Sequence, residues 1–327
     1  MLTGATEPDR VTIDVPAVTR SWSAAVAERT RSEVDAICGE HDPVRSLVLR
    51  VLDDGAAQLH ASRLVGMAVA GALTGEPELG LPVCVVSRLW WTGAQLLDDL
   101  ADGAPLRLPS GAVILAGTIC VAGLPMAVID RQPLAAEVAS HWRAELLSTS
   151  LHAASGQLTD LSTMEDLTWA RVVAGYRGKS GAPYGRDAVM AARLGTDDPA
   201  ALRGWRAFGE LFGVLRQLAN DAAPDSVDED LRNGTRTALL VHALSVAEAG
   251  ERERLLKLRE AAPTDPQARA LLRESMVSPS IMDSYRAQVE AMRRQGCLLL
   301  DQLAPPSPHR ELLHALVHGS AHQAISY

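Results

Sequence analysis

The feature that most constrains this chain is the spacing of its apolar residues. They recur at i, i+3, i+4 and i+7, as in Val48, Val51 and Leu52; in Trp205, Phe208, Leu211 and Phe212; and in Leu312, Leu313, Leu316 and Val317. That is the period of an α-helix with a buried face. No run of alternating β-branched residues closed by a hairpin turn accompanies it. Breaks at "DDG", "TGEPELGLP", "DGAPLRLPSG", "RQP", "GTDDP", "APDS", "AAPTDP" and "APPSPH" cut the chain into about ten helices. Several are apolar on more than one face, which suits the interior of one large bundle. We expect an all-α domain over residues 21–327 and a loose arm over 1–20.

Composition narrows the partners. At 47% hydrophobic, 327 residues supply a large core. A net charge of −9 argues against nucleic acid and anionic membranes. Cys38, Cys84, Cys120 and Cys297 are scattered without metal-ligand spacing and read as reduced thiols of a cytoplasmic protein. The polar, acidic start lacks the basic and apolar runs of a signal peptide. Residues 111–129, "GAVILAGTICVAGLPMAVI", approach the length of a bilayer span. Their glycines and proline favour a core helix, so no membrane span is expected.

One acidic cluster stands out. "LLDDLADG", residues 96–103, follows an apolar helix and carries Asp98, Asp99 and Asp102. Asp98 and Asp102 share a helix face, with Asp99 about a quarter turn round. Carboxylates this close repel unless a cation neutralises them, and hard oxygen donors suit Mg²⁺. Acid at a helix C-terminus is also unfavourable with the helix dipole. A second cluster, "NDAAPDSVDED", ends another apolar helix and holds Asn220, Asp221, Asp225, Asp228, Glu229 and Asp230. Asp221, Asp225 and Glu229 share a face only if the helix runs on through Pro224, which proline disfavours. Two such clusters facing each other across a cavity mouth would make a metal site within a bundle.

These motifs, in order, resemble those of the trans-isoprenyl diphosphate synthase (polyprenyl synthetase) family from about residue 45 onward. "DDLAD" is similar to its first aspartate motif, and Arg107 stands where the first of two following arginines does. "GQLTDL", "GKSGAPYGRDAVMAARLG", "FGELFGVLRQLANDAAPD" and "DLRNGTRTALLVHAL" resemble later segments. Lys179, one of only two lysines, falls on the family's diphosphate lysine. The resemblance implies a bundle around a deep apolar cavity. It also implies three Mg²⁺ ions held by Asp98, Asp99, Asp102, Asn220, Asp221 and Asp225, an allylic diphosphate ionised at its C–O bond, and a homodimer. Asp98, Asp102, Asn220 and Asp221 would be catalytic. Arg107, Lys179, Gln157 and Arg236 would bind the diphosphate end.

The chain departs from the family where a second substrate, isopentenyl diphosphate, would bind. "LHASRLV" keeps only Arg63 of an upstream basic motif, Leu108 replaces the second arginine, and Thr235 stands in place of a lysine. Losing several charged contacts, at about 1.5–3 kcal/mol each, weakens binding by orders of magnitude. The expectation is therefore transfer of a C15–C20 prenyl group to a different acceptor. The alternatives are a terpene synthase on the same fold or a non-catalytic partner subunit. Gly93 and Ala94, five and four residues before the first motif, would line the cavity. Trp90 or Trp91, one turn deeper, would floor it, and Trp90→Ala would admit a longer chain.

Other features read more plainly. His314, His318 and His322 lie at i, i+4 and i+8, but no acidic or cysteine partner is near in sequence, so they read as solvated. Gln157 and Asp160 either approach the metal site through water or form a buried polar pair. Tyr176 and Tyr184 flank Lys179 and either line the pocket or pack.

Overall fold

The computed structural model describes residues 14–54, 61–160 and 168–327. The side chains of Asp54, Thr159, Asp160 and Asp225 lie outside the described set. In chain order the α-helices are α1 (Val15–Cys38), α2 (Asp42–Asp54), α3 (Val65–Thr74), α4 (Leu81–Ala101), α5 (Ser110–Thr118), α6 (Leu124–Arg131), α7 (Ala136–Asp160) and α8 (Trp169–Tyr176). They continue with α9 (Ala182–Ala192), α10 (Pro199–Asp221), α11 (Pro224–Asn233), α12 (Ala238–Val246), α13 (Ala249–Ala261), α14 (Pro266–Met276), α15 (Pro279–Leu303) and α16 (Pro308–Gln323). The expected all-α class holds, and among the described residues there is no strand. The helices outnumber the expected ten because short ones follow proline breaks.

The expected arm over 1–20 is corrected at its end. Helix α1 begins at Val15, where the Asp14 carboxylate accepts from the Ala17 amide at 3.0 Å and Pro16 occupies the first turn. Both are ordinary helix-start chemistry, and the expectation overlooked them. Residues 1–13 lie outside the described set.

Two helices contain a π turn, and the sequence explains both. Ile119–Gly123 joins α5 to α6, and Arg177–Gly181 joins α8 to α9. Each is followed at its second residue by a proline, Pro125 or Pro183. Proline has no amide for the carbonyl four residues back, so the backbone widens locally instead of ending. The second of these turns carries Lys179.

Helix α10 sits at the centre. Its buried Trp205, Phe208 and Phe212 pack against α9, α15 and α16. Asp198 starts it by accepting from the amides of Ala200 and Ala201 at 3.1 and 3.0 Å. Helix α4 buries Val83 to Trp90 and then emerges, so its last turn presents the first aspartates at the edge of the core.

Candidate active site

Helix α4 ends where the aspartates need it to. Asp102 is its C-cap, and Gly103 follows with φ 69°, a left-handed conformation that glycine adopts at no steric cost. Asp98 and Asp99 point from the last turn, half-buried, and Asp102 is exposed. The Gln95 amide donates to Asp99 at 2.6 Å. Asp98 receives two partners from other helices. The Gln157 side-chain amide donates to its Oδ1, and Lys179 Nζ lies 3.3 Å from its Oδ2. Gln157 thus meets the first motif directly.

Gly156 makes that convergence possible. A Cβ there would lie 2.5 Å from the Lys179 backbone nitrogen and 2.9 Å from the Gly178 carbonyl carbon. Helix α7 therefore lies directly on the π turn, and the residue after Gly156 reaches the same carboxylate as Lys179.

The π turn also reaches the second cluster. Ser180 Oγ donates to Gln217 Oε1 at 2.6 Å, and Gln217 Nε2 donates to Asp221 Oδ1 at 2.9 Å. Tyr176, just before the turn, donates its hydroxyl to Asp221 Oδ2. Neighbouring residues of one turn therefore hold Asp98 on one side and Asp221 on the other. The same Tyr176 oxygen accepts from the Ala238 amide at 3.1 Å, which ties in α12.

The second cluster differs from the expected ligand set. Helix α10 stops at Asp221 and α11 starts at Pro224, so Asp221, Asp225 and Glu229 do not share one helix face. Asn220 is exposed at the last turn of α10. Asp221 is 4% exposed and accepts one hydrogen bond at each carboxylate oxygen, which fixes its orientation and leaves a lone pair on each. The metal role expected of the Asp225 side chain falls outside the described residues.

Asp230, one of the acidic residues of the second cluster, has a role that the sequence does not single out. Burial first, and then the Asp221 charge, push its carboxyl up to about 7, while a hydrogen bond from Thr235 and the Lys179 charge pull it down. Its place in the run Asp228-Glu229-Asp230 gives no sign of which carboxyl is buried. Two tyrosines distant in sequence, Tyr285 and Tyr327, also close on Asp221. Burial, and then the Asp221 charge, raise the Tyr285 phenol. Burial, then Tyr285 and then Asp221, raise that of Tyr327.

The remaining predicted residues are placed as follows. Arg107 is exposed in the α4–α5 connection. Arg236 is half-buried between α11 and α12, close enough to Arg259 to help burial lower the latter's pKa. Ala94 is half-buried against the core. Gly93 is a correction, because it is a helix-crossing residue. A Cβ there would lie 2.6 Å from the Gly117 carbonyl oxygen and 2.8 Å from the Val121 nitrogen, which is contact with the neighbouring helix and not cavity wall. Trp90 is 3% exposed, and its indole N–H donates to Ser150 on α7 at 3.2 Å. Trp91 keeps accessible surface and packs edge-on against Trp90 at 5.1 Å. The Arg63 guanidinium lies 3.6 Å from the Trp91 ring centroid, and Tyr184 stands 5.7 Å from the same ring.

This arrangement of helices has counterparts among solved structures. A polyprenyl synthetase from Streptomyces coelicolor A3(2) matches with a TM-score of 0.82 at 20% identity, covering 94% of this chain and 99% of that one. The fold is that of the prenyl diphosphate synthases. A geranylgeranyl pyrophosphate synthetase from Pyrococcus horikoshii Ot3 shares it with a TM-score of 0.80 at 18% identity, covering 94% and 98% of the two chains. So does a Corynebacterium glutamicum geranylgeranyl pyrophosphate synthase complexed with isoprenyl diphosphate and magnesium, with a TM-score of 0.75, 19% identity, and 94% and 98% coverage. No family model matches the sequence, and no curated protein matches it. In this prenyl synthase fold the Asp98–Lys179 pair lies at the end of a long core helix beside the widened turn of another.

Proposed function

We propose that this protein ionises an allylic prenyl diphosphate of C15–C20 length with Mg²⁺, and passes the prenyl cation to an acceptor other than isopentenyl diphosphate. One observation carries the reading: Lys179, Gln157 and Asp98 converge from three helices on the end of α4. The likeness of fold to prenyl diphosphate synthases supports it, one of them holding isoprenyl diphosphate and magnesium.

The donor set fits the metal at the first motif. Asp98, Asp99 and Asp102 offer hard carboxylate oxygens within one turn, and Asp102 is open to solvent. Bound there, Mg²⁺ supplies Lewis-acid neutralisation of the charge that builds on the leaving diphosphate. The protein's own groups do the rest. Lys179 exchanges its carboxylate partner for a diphosphate oxygen, and Arg107 adds a second charge-assisted contact. Gln157 keeps Asp98 in its rotamer. Asp221 positions the site through Tyr176 and Gln217. The C–O bond breaks with both electrons going to diphosphate, which leaves an allylic cation beside the apolar core.

The acceptor assignment rests on Arg63. Its guanidinium stacks on Trp91, and burial lowers its pKa. Arg63 is the one basic remnant upstream of the first motif, and Leu108 and Thr235 leave it without the cationic neighbours that a second diphosphate needs. A cyclising terpene synthase is the second reading, favoured by the run of aromatic faces from Trp91 to Tyr184 to Phe212. Such faces stabilise carbocations. The deciding experiment incubates the protein with C15 and C20 diphosphates and Mg²⁺ and no acceptor. A cyclase yields hydrocarbon or alcohol, and a transferase yields little. No Mg²⁺-dependent diphosphate release with any prenyl diphosphate would overturn both readings and point to a partner subunit.

A homodimer completes the proposal. Leu147, Leu151 and Leu158 stand exposed along one face of α7, with Leu151 74% exposed. Ile114 and Leu115 stand exposed on α5. The helical stretch Ser110–Arg131 is long and apolar enough to cross a membrane, and 44% of its most apolar window is buried in the bundle. A second copy covering these strips removes them from water.

A further inference from the structure

The histidines near the C-terminus have partners that sequence spacing does not show. The short connection after α15 folds α16 back along it in antiparallel fashion. Cys297 and Asp301, one turn apart on α15, then face His318 and His314, one turn apart on α16. Cys297 Sγ lies 3.9 Å from His318 Nε2, and His314 Nε2 lies 3.1 Å from Asp301 Oδ1. One potential ligand atom from each of Cys297, His314 and His318 falls within 4.8 Å of the others. For His314 and His318 the expectation that no acidic or cysteine partner is near is thereby corrected.

We infer that Cys297, His314 and His318 form a binding site for Zn²⁺ or a metal of similar softness, separate from the aspartate site. An i, i+4 histidine pair on α16 and a thiol on the facing α15 bring three donor atoms together, as a centre with three protein ligands and an open fourth position needs. One thiolate and two imidazoles select a borderline or soft metal over Mg²⁺. Asp301 is the orienting group. It accepts from His314 Nε2–H, which fixes the tautomer and leaves Nδ1 for the metal. A water completes the fourth position, since His318 is exposed. Binding takes up the metal and releases the Cys297 thiol proton to solvent.

Arg293 opposes this binding. Its Nη1 lies 3.0 Å from His318 Nδ1, while its Nε and Nη2 hold the Glu290 carboxylate at 2.6 and 2.5 Å. A guanidinium only donates, so Nδ1 accepts and Nε2 carries the proton in the metal-free protein. Ligation through Nε2 moves that proton to Nδ1, and the contact with Arg293 opens. Glu290 keeps the guanidinium nearby.

The test uses Co²⁺ as the probe, titrated into the full chain with a non-thiol reductant. A saturable thiolate-to-Co²⁺ charge-transfer band, displaced by Zn²⁺, is expected. Cys38, Cys84 and Cys120 are buried, so the band reports Cys297. Cys297→Ser should abolish it, and Asp301→Asn should weaken affinity about 10–100-fold. Arg293→Gln should tighten it, and His322→Ala should leave it unchanged. Far-UV circular dichroism confirms that each variant is folded. Absence of a band in the wild type, or a band that survives Cys297→Ser in a folded protein, overturns the site.

Discussion

Lys179 and Asp98 form an ion pair of 3.3 Å between the π turn and the end of α4, with side chains 25% and 23% exposed. The pair joins two segments 81 residues apart in the chain. Without a metal, the lysine supplies the counter-charge that the aspartates need. Lys179→Met should lower the turnover number for Mg²⁺-dependent diphosphate release about 10²–10³-fold, the usual cost of one preorganised stabilising group. Asp98→Asn should cost at least as much. Diphosphate-release kinetics at saturating prenyl diphosphate check both. Unchanged release in either variant would remove the pair from the site.

Gly156 and Gly175 make a matched test of how closely α7 must approach. Gly156→Ala places a methyl 2.5 Å from backbone, so it should destabilise by about 1–3 kcal/mol and reduce diphosphate release. At Gly175 nothing lies within 4 Å of an added Cβ. Gly175→Ala should be neutral or stabilise by up to about 1 kcal/mol, as replacement of a helical glycine does. Urea denaturation of the two variants gives the comparison.

Asp230 should make stability fall as pH rises. Its carboxyl titrates near 7 in the folded chain and at its ordinary 3.8 when unfolded. Between those values the folded state holds the proton more tightly, so folding is favoured most below pH 3.8 and loses that advantage through pH 7. The shift corresponds to an upper bound of about 4 kcal/mol. Asp230→Asn should abolish this dependence in the metal-free protein and leave the variant more stable than wild type at pH 8. Equal melting temperatures at pH 5 and 8 in both proteins would count against it.

The two tryptophans should separate by function. Trp90→Ala removes a buried side chain and should cost about 3–5 kcal/mol. Trp91→Ala opens accessible space under Arg63 and should extend the range of prenyl diphosphates accepted. A chain-length series with each folded variant distinguishes them. A broadened range for Trp90→Ala alone would restore the first expectation.

Leu151→Arg should yield single chains if a second copy covers α7. Light scattering after size-exclusion chromatography reads the mass. A wild type that already runs as one chain would refute the dimer.

The helical class and the first motif were legible because they rest on local periodicity. The end of α4, with Asp98 and Asp102 on one face, needed only helix geometry. Gly93 was misplaced because smallness looks the same whether a residue lines a cavity or admits a neighbouring helix. The Cys297 and His318 contact was invisible because it depends on a short connection folding two helices back to back, which spacing along one helix does not show. The partners that orient Asp221, Tyr176 and Gln217, are not legible either, because Tyr176 reaches it from a segment 45 residues away.

The widened turn at Arg177–Gly181 has a consequence for how such proteins diversify. Lys179 and Ser180 address opposite carboxylate clusters because adjacent residues of a helical turn point about 100° apart, and the π turn sets the phase of that pair relative to the helices on either side. The direction of both arms is therefore set by the number of residues in the turn. Single substitutions can retune what each arm grips, but only inserting or deleting a residue re-clocks the two arms together.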